Sequence, residues 1–109
     1  MSTQTAVTAP LFDALGDPNR LRIVVRLCDL GPSSTSQVTS VVPVTRQAAT
    51  KHLQLLESAG LVTSSRRGRE RVWTLRTEPL ARASDYLIQL SRRWDDAVDR
   101  LRAFVEHED

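Results

Sequence analysis

Apolar residues recur at intervals of three and four along most of the chain, which is the spacing of one face of a helix. The clearest example lies between Thr45 and Gly60, where Ala49, Leu53 and Leu56 mark a buried face. Thr45 is suited to cap this helix, because its hydroxyl can accept a hydrogen bond from an unpaired N–H of the first turn. Gly60 stands where a left-handed residue commonly ends a helix. The pattern therefore predicts a helix between these two residues.

The start of the chain shows little pattern. Residues 1–9 are expected to be flexible, as chain termini often are. Residues 10–16 predict a short helix or helical turn, with Leu11, Phe12 and Leu15 as its apolar residues. A chain of 109 residues is the size of one domain, which we expect to span residues 10–109.

A second helix is predicted between Asp17-Pro18 and Gly31-Pro32. Asp is a good N-cap, and Pro suits the first helical position. A shorter helix is predicted around Gln37–Val42, and with the helix after Thr45 it forms the helix-turn-helix geometry. The core stripe of the second helix is expected to consist of Leu21, Val24, Val25 and Cys28, which makes Cys28 a buried structural thiol.

Beyond Gly60 the pattern changes to two short strands joined at an arginine-rich tip. Trp73 is expected to be a core residue at the base of this hairpin rather than a residue that stacks on a base. The chain is therefore predicted to be mainly α with a small β-hairpin, in the order α-α-α-α-β-β-α. This order is typical of a winged helix-turn-helix.

Residues 79–106 carry the longest pattern and predict a long C-terminal helix. Its apolar residues follow a heptad, and a narrow two-row seam is typical of a helix that pairs with another helix. Other apolar positions widen the stripe, so part of the helix is expected to pack on its own domain. We expect the seam, which includes Trp94, to support self-association. One row contains Leu80, Leu87, Trp94 and Leu101, and the other contains Ala83, Leu90, Ala97 and Phe104.

Positive charge is concentrated in the middle of the chain. The whole chain has a net charge of only +2. Residues 46–76 carry seven basic and two acidic residues, a net +5, whereas residues 77–109 carry five basic and eight acidic residues, a net −3. A phosphate-binding surface requires such a concentration. The alternative is an ordinary solvated run of charge.

The residue types in this basic segment suit double-stranded DNA. Arg or Lys can read guanine and Gln can read adenine in the major groove, while arginines on the hairpin can contact phosphate. His52 is left open between a DNA contact and a structural bond to the preceding helix or to the backbone. The predicted recognition-helix contacts are Thr45, Arg46, Gln47, Thr50, Lys51 and His52, and the predicted wing contacts are Arg66, Arg67, Arg69 and Arg71.

Three stretches resemble the signature segments of the ArsR/SmtB winged helix-turn-helix repressors: LFDALGDPNRLRIVVRL, TRQAATKHLQLLESAGLV and RRGRERVWTL. The resemblance covers residues 10–105. It implies a homodimer paired through the first and last helices, binding to an operator, and repression by blocking RNA polymerase. The interface residues expected on this basis are Leu11, Phe12, Leu15, Leu80, Ala83, Leu87, Leu90, Trp94, Leu101 and Phe104.

Many members of that family sense metals, but the residues of this chain do not supply the usual sites. The chain has one cysteine and two histidines, and no cysteine lies between Gln37 and Val42. Tight transition-metal sites favour thiolates and imidazoles. No metal site, cofactor or small-molecule effector is therefore predicted. The alternative is a metal-responsive repressor with a site across the dimer from Glu106, His107 and Glu108.

Other classes of function have less support. No nucleophile–base pair, metal triad or glycine-rich phosphate loop indicates an enzyme. No apolar run approaches the length of about 20 residues that crosses a bilayer, so we expect no membrane partner and a cytoplasmic location. A protein-interaction module that uses the C-terminal seam for a different partner is the alternative to the DNA-binding regulator.

Overall fold

The structure is a computed structural model that describes residues 3–107. Five helices and a small antiparallel sheet form a winged helix-turn-helix, which confirms the predicted fold class. The structure adds one strand that was not predicted, and the sheet order is β1-β3-β2. The elements are α1 (Thr3–Leu15), α2 (Pro18–Leu30), β1 (Ser33–Ser34), α3 (Thr35–Thr39), α4 (Arg46–Ser58), β2 (Val62–Arg67), β3 (Glu70–Leu75) and α5 (Thr77–His107).

Side-chain caps begin the two longest internal helices as predicted. The Asp17 carboxylate accepts hydrogen bonds from the backbone N–H groups of Asn19 and Arg20, at 2.9 and 3.0 Å. The Thr45 hydroxyl accepts from the Ala48 N–H at 3.1 Å. Each bond satisfies an N–H that has no partner inside its helix. These local bonds fix where α2 and α4 begin.

Helix α1 is longer than predicted. The structure differs from the flexible segment expected over residues 1–9, because the helix already begins at Thr3, while residues 1–2 lie outside the described part of the chain. Thr8 is buried, and the Thr5 Oγ1 lies 3.2 Å from the Tyr86 hydroxyl of α5. The β-branched residues and Pro10 are poor helix formers, but packing against α5 outweighs their weak propensity.

Helix α2 buries a different face from the one predicted. Its buried residues are Ile23, Val24 and Leu27. Of the predicted stripe only Val24 is buried, and Leu21, Val25 and Cys28 are exposed. The prediction of a buried thiol at Cys28 is therefore wrong. Apolar residues lie on more than one side of α2, so their spacing alone could not identify the side that meets α1, α4 and β3.

Helix α3 begins earlier than the predicted Gln37–Val42, because a reciprocal cap fixes its start. The Ser34 hydroxyl accepts from the Gln37 N–H at 3.2 Å, and the Gln37 side-chain oxygen accepts from the Ser34 N–H at 2.9 Å. The two residues of β1, Ser33 and Ser34, pair with Trp73 and Val72 of β3. The polar link between α2 and α3 therefore becomes the third strand.

The core lies where α2, α3 and α4 meet the sheet. Trp73 is completely buried, and its indole N–H donates to the Thr35 hydroxyl at 3.0 Å. This confirms Trp73 as a core residue at the base of the hairpin. Leu53 and Leu56 are also completely buried, which confirms the predicted inner face of α4. Buried residues of the core are Leu11, Ala14, Ile23, Val24, Leu27, Val38, Val42, Leu53, Leu56, Leu61, Val62 and Trp73.

Helix α5 leaves the domain after its first turns. Its buried residues are Pro79 and Ala83. The radius of gyration is 18.7 Å, whereas a compact domain of this length has a value of about 13 Å. The difference arises because the C-terminal part of α5 projects from the body. Its exposed large apolar residues include Leu87, Leu90, Trp94, Leu101 and Phe104.

The predicted interface residues divide into two groups. Leu11 and Ala83 are each only 5% exposed, so they are already buried within the single chain. Leu15 and Leu80 are partly buried against that core. Phe12 is half-buried beside Tyr86, with ring centroids 6.1 Å apart. The remaining predicted residues, all on α5 beyond Tyr86, are exposed.

Candidate nucleic-acid interface

Helix α4 presents a polar face because its opposite side is anchored in the core. Ala49, Leu53 and Leu56 are completely buried. Gln47 and Lys51 therefore lie on the exposed side of the same turns. Their donor groups are the ones that read or contact DNA in the predicted role. The structure thus brings a donor-rich face to the N-terminal half of α4.

Three other predicted contacts at this end of α4 already make bonds within the chain. The Arg46 guanidinium donates through Nη1 to the Ser36 hydroxyl of α3 at 2.8 Å. The Thr50 hydroxyl donates to the Arg46 carbonyl at 3.0 Å, a common bond for threonine in a helix. Thr45 is exposed, and its hydroxyl oxygen accepts the capping bond from Ala48. The bond to Ser36 uses only Nη1 of Arg46, which is an exposed residue.

His52 faces the interior of the helix-turn-helix rather than the donor-rich face. Its side chain is 18% exposed, and its Nδ1 lies 3.9 Å from Oδ2 of Asp17, the cap of α2. Within residues 3–107 this buried Nδ1 has no hydrogen-bond partner. Of the two roles left open by the sequence, the structure supports the structural one. A contact of His52 with DNA stays a prediction.

The Asp17 carboxylate caps α2 and lies near His52 of α4. The backbone N–H of Arg20 is the main cause that lowers the pKa of the Asp17 carboxyl, because it donates to the ionised oxygen. Partial burial opposes this shift, while the nearby His52 and Arg20 favour the charged form. The capping carboxylate is therefore held ionised to lower pH than a free aspartate.

This lowered pKa predicts a specific contribution to acid stability. A depressed folded-state pKa stabilises the fold above the unfolded value of about 3.9, and the contribution is lost as the pH falls through the folded value. Asp17→Asn keeps a good N-cap but cannot ionise. We expect the urea midpoint of the wild type to fall more steeply below about pH 4 than that of Asp17→Asn.

Asp29→Asn is the matched control, because Asp29 is an exposed carboxylate at the other end of α2. The control variant should keep the steep acid dependence of the wild type. Parallel curves for the wild type and Asp17→Asn would contradict the assignment of Asp17 as a stabilising charge.

The wing is a regular hairpin. Strands β2 and β3 pair in antiparallel register, with Arg66 opposite Arg71 and Arg67 opposite Glu70. Gly68 has φ 63° in the two-residue turn, a left-handed conformation that short hairpin turns favour and that glycine adopts without a Cβ clash. Arg66, Arg67 and Arg69 are exposed at this tip. The tip therefore presents three of the four predicted wing arginines.

Arg71 is held away from the tip. Its guanidinium lies over the Trp73 ring, 4.7 Å from the centroid. Its Nε donates to the Ser64 hydroxyl at 3.0 Å, and its Nη2 lies 3.5 Å from Oε1 of Glu57. These three partners direct Arg71 towards the end of α4, and its contact with phosphate stays a prediction. Glu57 and Ser64 were not predicted as site residues, since no local pattern marks a contact between a helix and a strand.

Other types of site find little support in the described residues. Among residues 3–107 there is no group of three or more His, Cys, Asp or Glu residues that could hold a metal ion. His107 lies at the exposed end of α5, and Glu108 is outside the described part. Within the same residues, none of the helices combines the length and the hydropathy that a membrane span needs.

Comparison with known proteins agrees with this geometry. Residues 15–65 match a family model described as a helix-turn-helix domain. An uncharacterised HTH-type transcriptional regulator of Bacillus subtilis, YuzN, is 41% identical over 76 residues, which are 64% of this chain and 83% of that protein. The HTH-type transcriptional regulator CmtR of Mycobacterium tuberculosis is 38% identical over 82 residues, 75% of this chain and 69% of that protein.

Solved structures show the same relationship. An ArsR-like transcriptional regulator from Rhodococcus sp. RHA1 superposes with a TM-score of 0.77 at 30% identity, covering 94% of this chain and 96% of that chain. The structure of a possible transcriptional regulator for arsenical resistance gives a TM-score of 0.68 at 32% identity, over 84% and 91%. Fold and surface define a winged helix-turn-helix DNA-binding transcriptional regulator. The chain belongs to the ArsR/SmtB family, whose members are regulators rather than enzymes.

Proposed function

We propose that the protein is a homodimeric repressor that binds a palindromic operator and blocks the access of RNA polymerase to a promoter. The observation that carries this proposal is the exposed apolar seam of α5, on the same chain as an exposed recognition face. The exposed part of the seam consists of Leu87, Leu90, Trp94, Leu101 and Phe104. A second copy of the chain is its proposed partner.

The exposure of the seam supports pairing. Trp94 is 70% exposed and Leu101 is 64% exposed. Full burial of one such side chain stabilises an assembly by about 1.5–3 kcal/mol, so five residues from each copy offer a large favourable term. Their heptad spacing keeps them on one side of α5, which suits a partner helix with the same pattern.

Two-fold pairing also suits the recognition helices. A dimer of helix-turn-helix proteins places its two reading helices about 34 Å apart, one turn of the duplex, and therefore favours a palindromic site. In each half-site, Gln47, Lys51 and Arg46 enter the major groove, while the wing tip contacts the backbone. A dimer bound across a promoter excludes the polymerase sterically.

A fluorescence-anisotropy titration tests the proposal. The probes are a duplex from upstream of the protein's own coding region and a scrambled duplex, each at two salt concentrations. We expect preferential, salt-sensitive binding to the upstream duplex. Equal binding to both duplexes would contradict autoregulation through that sequence and would require site selection from random duplexes. Absence of binding to any selected duplex would overturn the proposal.

Gln47→Ala should relax the sequence preference of the protein. Glutamine can pair with adenine through two hydrogen bonds, and a good bidentate contact provides about 1–3 kcal/mol of discrimination. The measurement is the ratio of dissociation constants for the preferred and scrambled duplexes. Gln54→Ala is the control, because Gln54 is an exposed glutamine on α4 two turns further from its N-terminus. A wild-type ratio for Gln47→Ala would remove Gln47 from the reading face.

A further inference from the structure

Three side chains join the C-terminal end of α4 to both strands of the wing. The Ser64 hydroxyl of β2 donates to Oε2 of Glu57 at 2.8 Å. Arg71 of β3 donates through Nε to the same Ser64 oxygen at 3.0 Å, and its Nη2 approaches Oε1 of Glu57 at 3.5 Å. We call Glu57, Ser64 and Arg71 the bracket, since they close a ring of contacts between helix and hairpin.

The bracket continues into the first helix of the helix-turn-helix. Arg71 lies over the ring of Trp73, and the indole of Trp73 donates to the Thr35 hydroxyl of α3. Contacts therefore run without a break from α3, through both wing strands, to α4. These are the elements that must fit one duplex together.

The guanidinium of Arg71 suits this position better than any other cation. It lies over the indole while its Nε and Nη2 face two different partners, Ser64 and Glu57. Lysine has the same charge but presents a single ammonium without a plane. Charge alone therefore does not explain the arrangement.

The bracket is too exposed to matter mainly for stability. The side chains of Arg71 and Glu57 are 44% and 36% exposed, and ion pairs of this kind contribute little to folding. The bracket can instead control the position of the wing tip, because the tip lies about 10 Å beyond Ser64 at the usual rise per residue of a strand. A rotation of about 10° at the base therefore moves the tip by about 2 Å. That displacement is enough to break a hydrogen bond to phosphate.

We propose that the bracket is a positioning device that sets the angle between the wing and the recognition helix, and that Arg71 acts through it rather than on phosphate. This inference rests on the proposed function, since it requires the wing tip and α4 to contact one duplex. Glu57, although acidic, then favours DNA binding. Simple electrostatics gives the opposite expectation, because a carboxylate beside phosphates is repulsive.

Glu57→Gln separates these two expectations. We expect this variant to bind the preferred duplex about fivefold more weakly and with a shallower salt slope, because the displaced wing tip loses contacts to phosphate. Glu70→Gln is the matched control, since Glu70 is an exposed carboxylate on the same wing outside the bracket. Loss of the Glu70 charge should tighten DNA binding. Tighter binding by Glu57→Gln as well would overturn the proposal.

Arg71→Lys tests the same point from the other side. A phosphate contact would tolerate this change, whereas a positioning role predicts weakening similar to that of Glu57→Gln. Ser64→Ala provides a third variant without any change of charge, and we expect it to weaken binding in the same direction. Wild-type affinity for both variants would overturn the proposal.

A measurement without DNA separates the bracket from the proposed function. A nitroxide at Gln54→Cys, in a Cys28→Ser background, enhances the relaxation of nearby amide resonances and so reports distances from α4 to the wing. We expect Glu57→Gln to change the enhancements at residues 66–69, and Glu70→Gln to leave them unchanged. Altered enhancements in a protein that binds no duplex would support the bracket and contradict the function. Unaltered relaxation enhancements would overturn the proposal that the bracket sets the wing angle, even in a protein that binds DNA.

Discussion

Leu101→Glu is expected to leave the protein monomeric. Leu101 lies in the middle of the C-terminal half of the seam and is 64% exposed in the single chain. In a two-fold dimer the change introduces two carboxylates into one apolar interface, where each loses hydration without a partner. Two buried leucines are lost as well, at about 1.5–3 kcal/mol each. Both effects act against the dimer and shift the equilibrium towards the monomer.

Sedimentation equilibrium measures this outcome directly. Ala103→Glu is the matched control, because it adds the same charge two residues away on the other side of α5. We expect the control to remain dimeric and both variants to keep the helical circular dichroism of the wild type. A Leu101→Glu protein that still dimerised would contradict the proposal that the seam is the dimer interface. A monomeric wild type would favour a different protein as the partner of α5.

Loss of the dimer should also affect DNA binding. A monomer retains one recognition helix and one wing, so it makes half of the phosphate contacts and reads half of the site. We expect the salt slope of Leu101→Glu to be about half that of the wild type. This result would connect the seam to function although no seam residue lies on the recognition helix or the wing.

The helix-turn-helix could be predicted from sequence because its signals are local. Asp17, Thr45 and Gly60 act within one turn of the helix that they begin or end. The structure confirms each of them. Heptad spacing likewise revealed α5 over its whole length, since every turn repeats the same signal.

Side-chain direction could not be predicted, because it depends on residues distant in sequence. Arg71 and Arg69 are both arginines of the wing, yet only Arg71 meets Glu57, which lies on another element. His52 meets Asp17 across the gap between α4 and α2. A list of donor residues therefore does not show which of them already contact other elements of the chain.

For the seam as well, the sequence does not show what each apolar side chain packs against. Leu80 and Ala83 fit the heptad as well as Leu87 and Leu90 do, but they pack against their own domain. A repeat of apolar residues does not show whether its partner is the same chain or another one. The seam residues that pack on their own domain and those that stay exposed are distinguished only by the position where α5 leaves the core.

Arg67→Ala combined with Arg69→Ala should weaken binding to every duplex and flatten its salt dependence. Both arginines are exposed at the wing tip, and each phosphate contact on B-DNA contributes about 0.9 to the slope of log affinity against log salt. We therefore expect a slope about 1.8 units shallower for each wing that is engaged. The ratio of specific to scrambled binding should remain close to that of the wild type, since backbone contacts carry little sequence information.

The control must separate a local contact from a general loss of positive charge. Arg82→Ala combined with Arg92→Ala removes the same charge from exposed positions on α5. If only the wing variant shows a shallower salt slope, the tip contacts phosphate. An equal decrease in both variants would assign the effect to the electrostatic field of the whole protein. The size of the decrease in salt slope also shows how many wings contact the DNA. A change of about 1.8 units indicates one engaged wing, and about twice that value indicates that both subunits of a dimer hold the backbone at once.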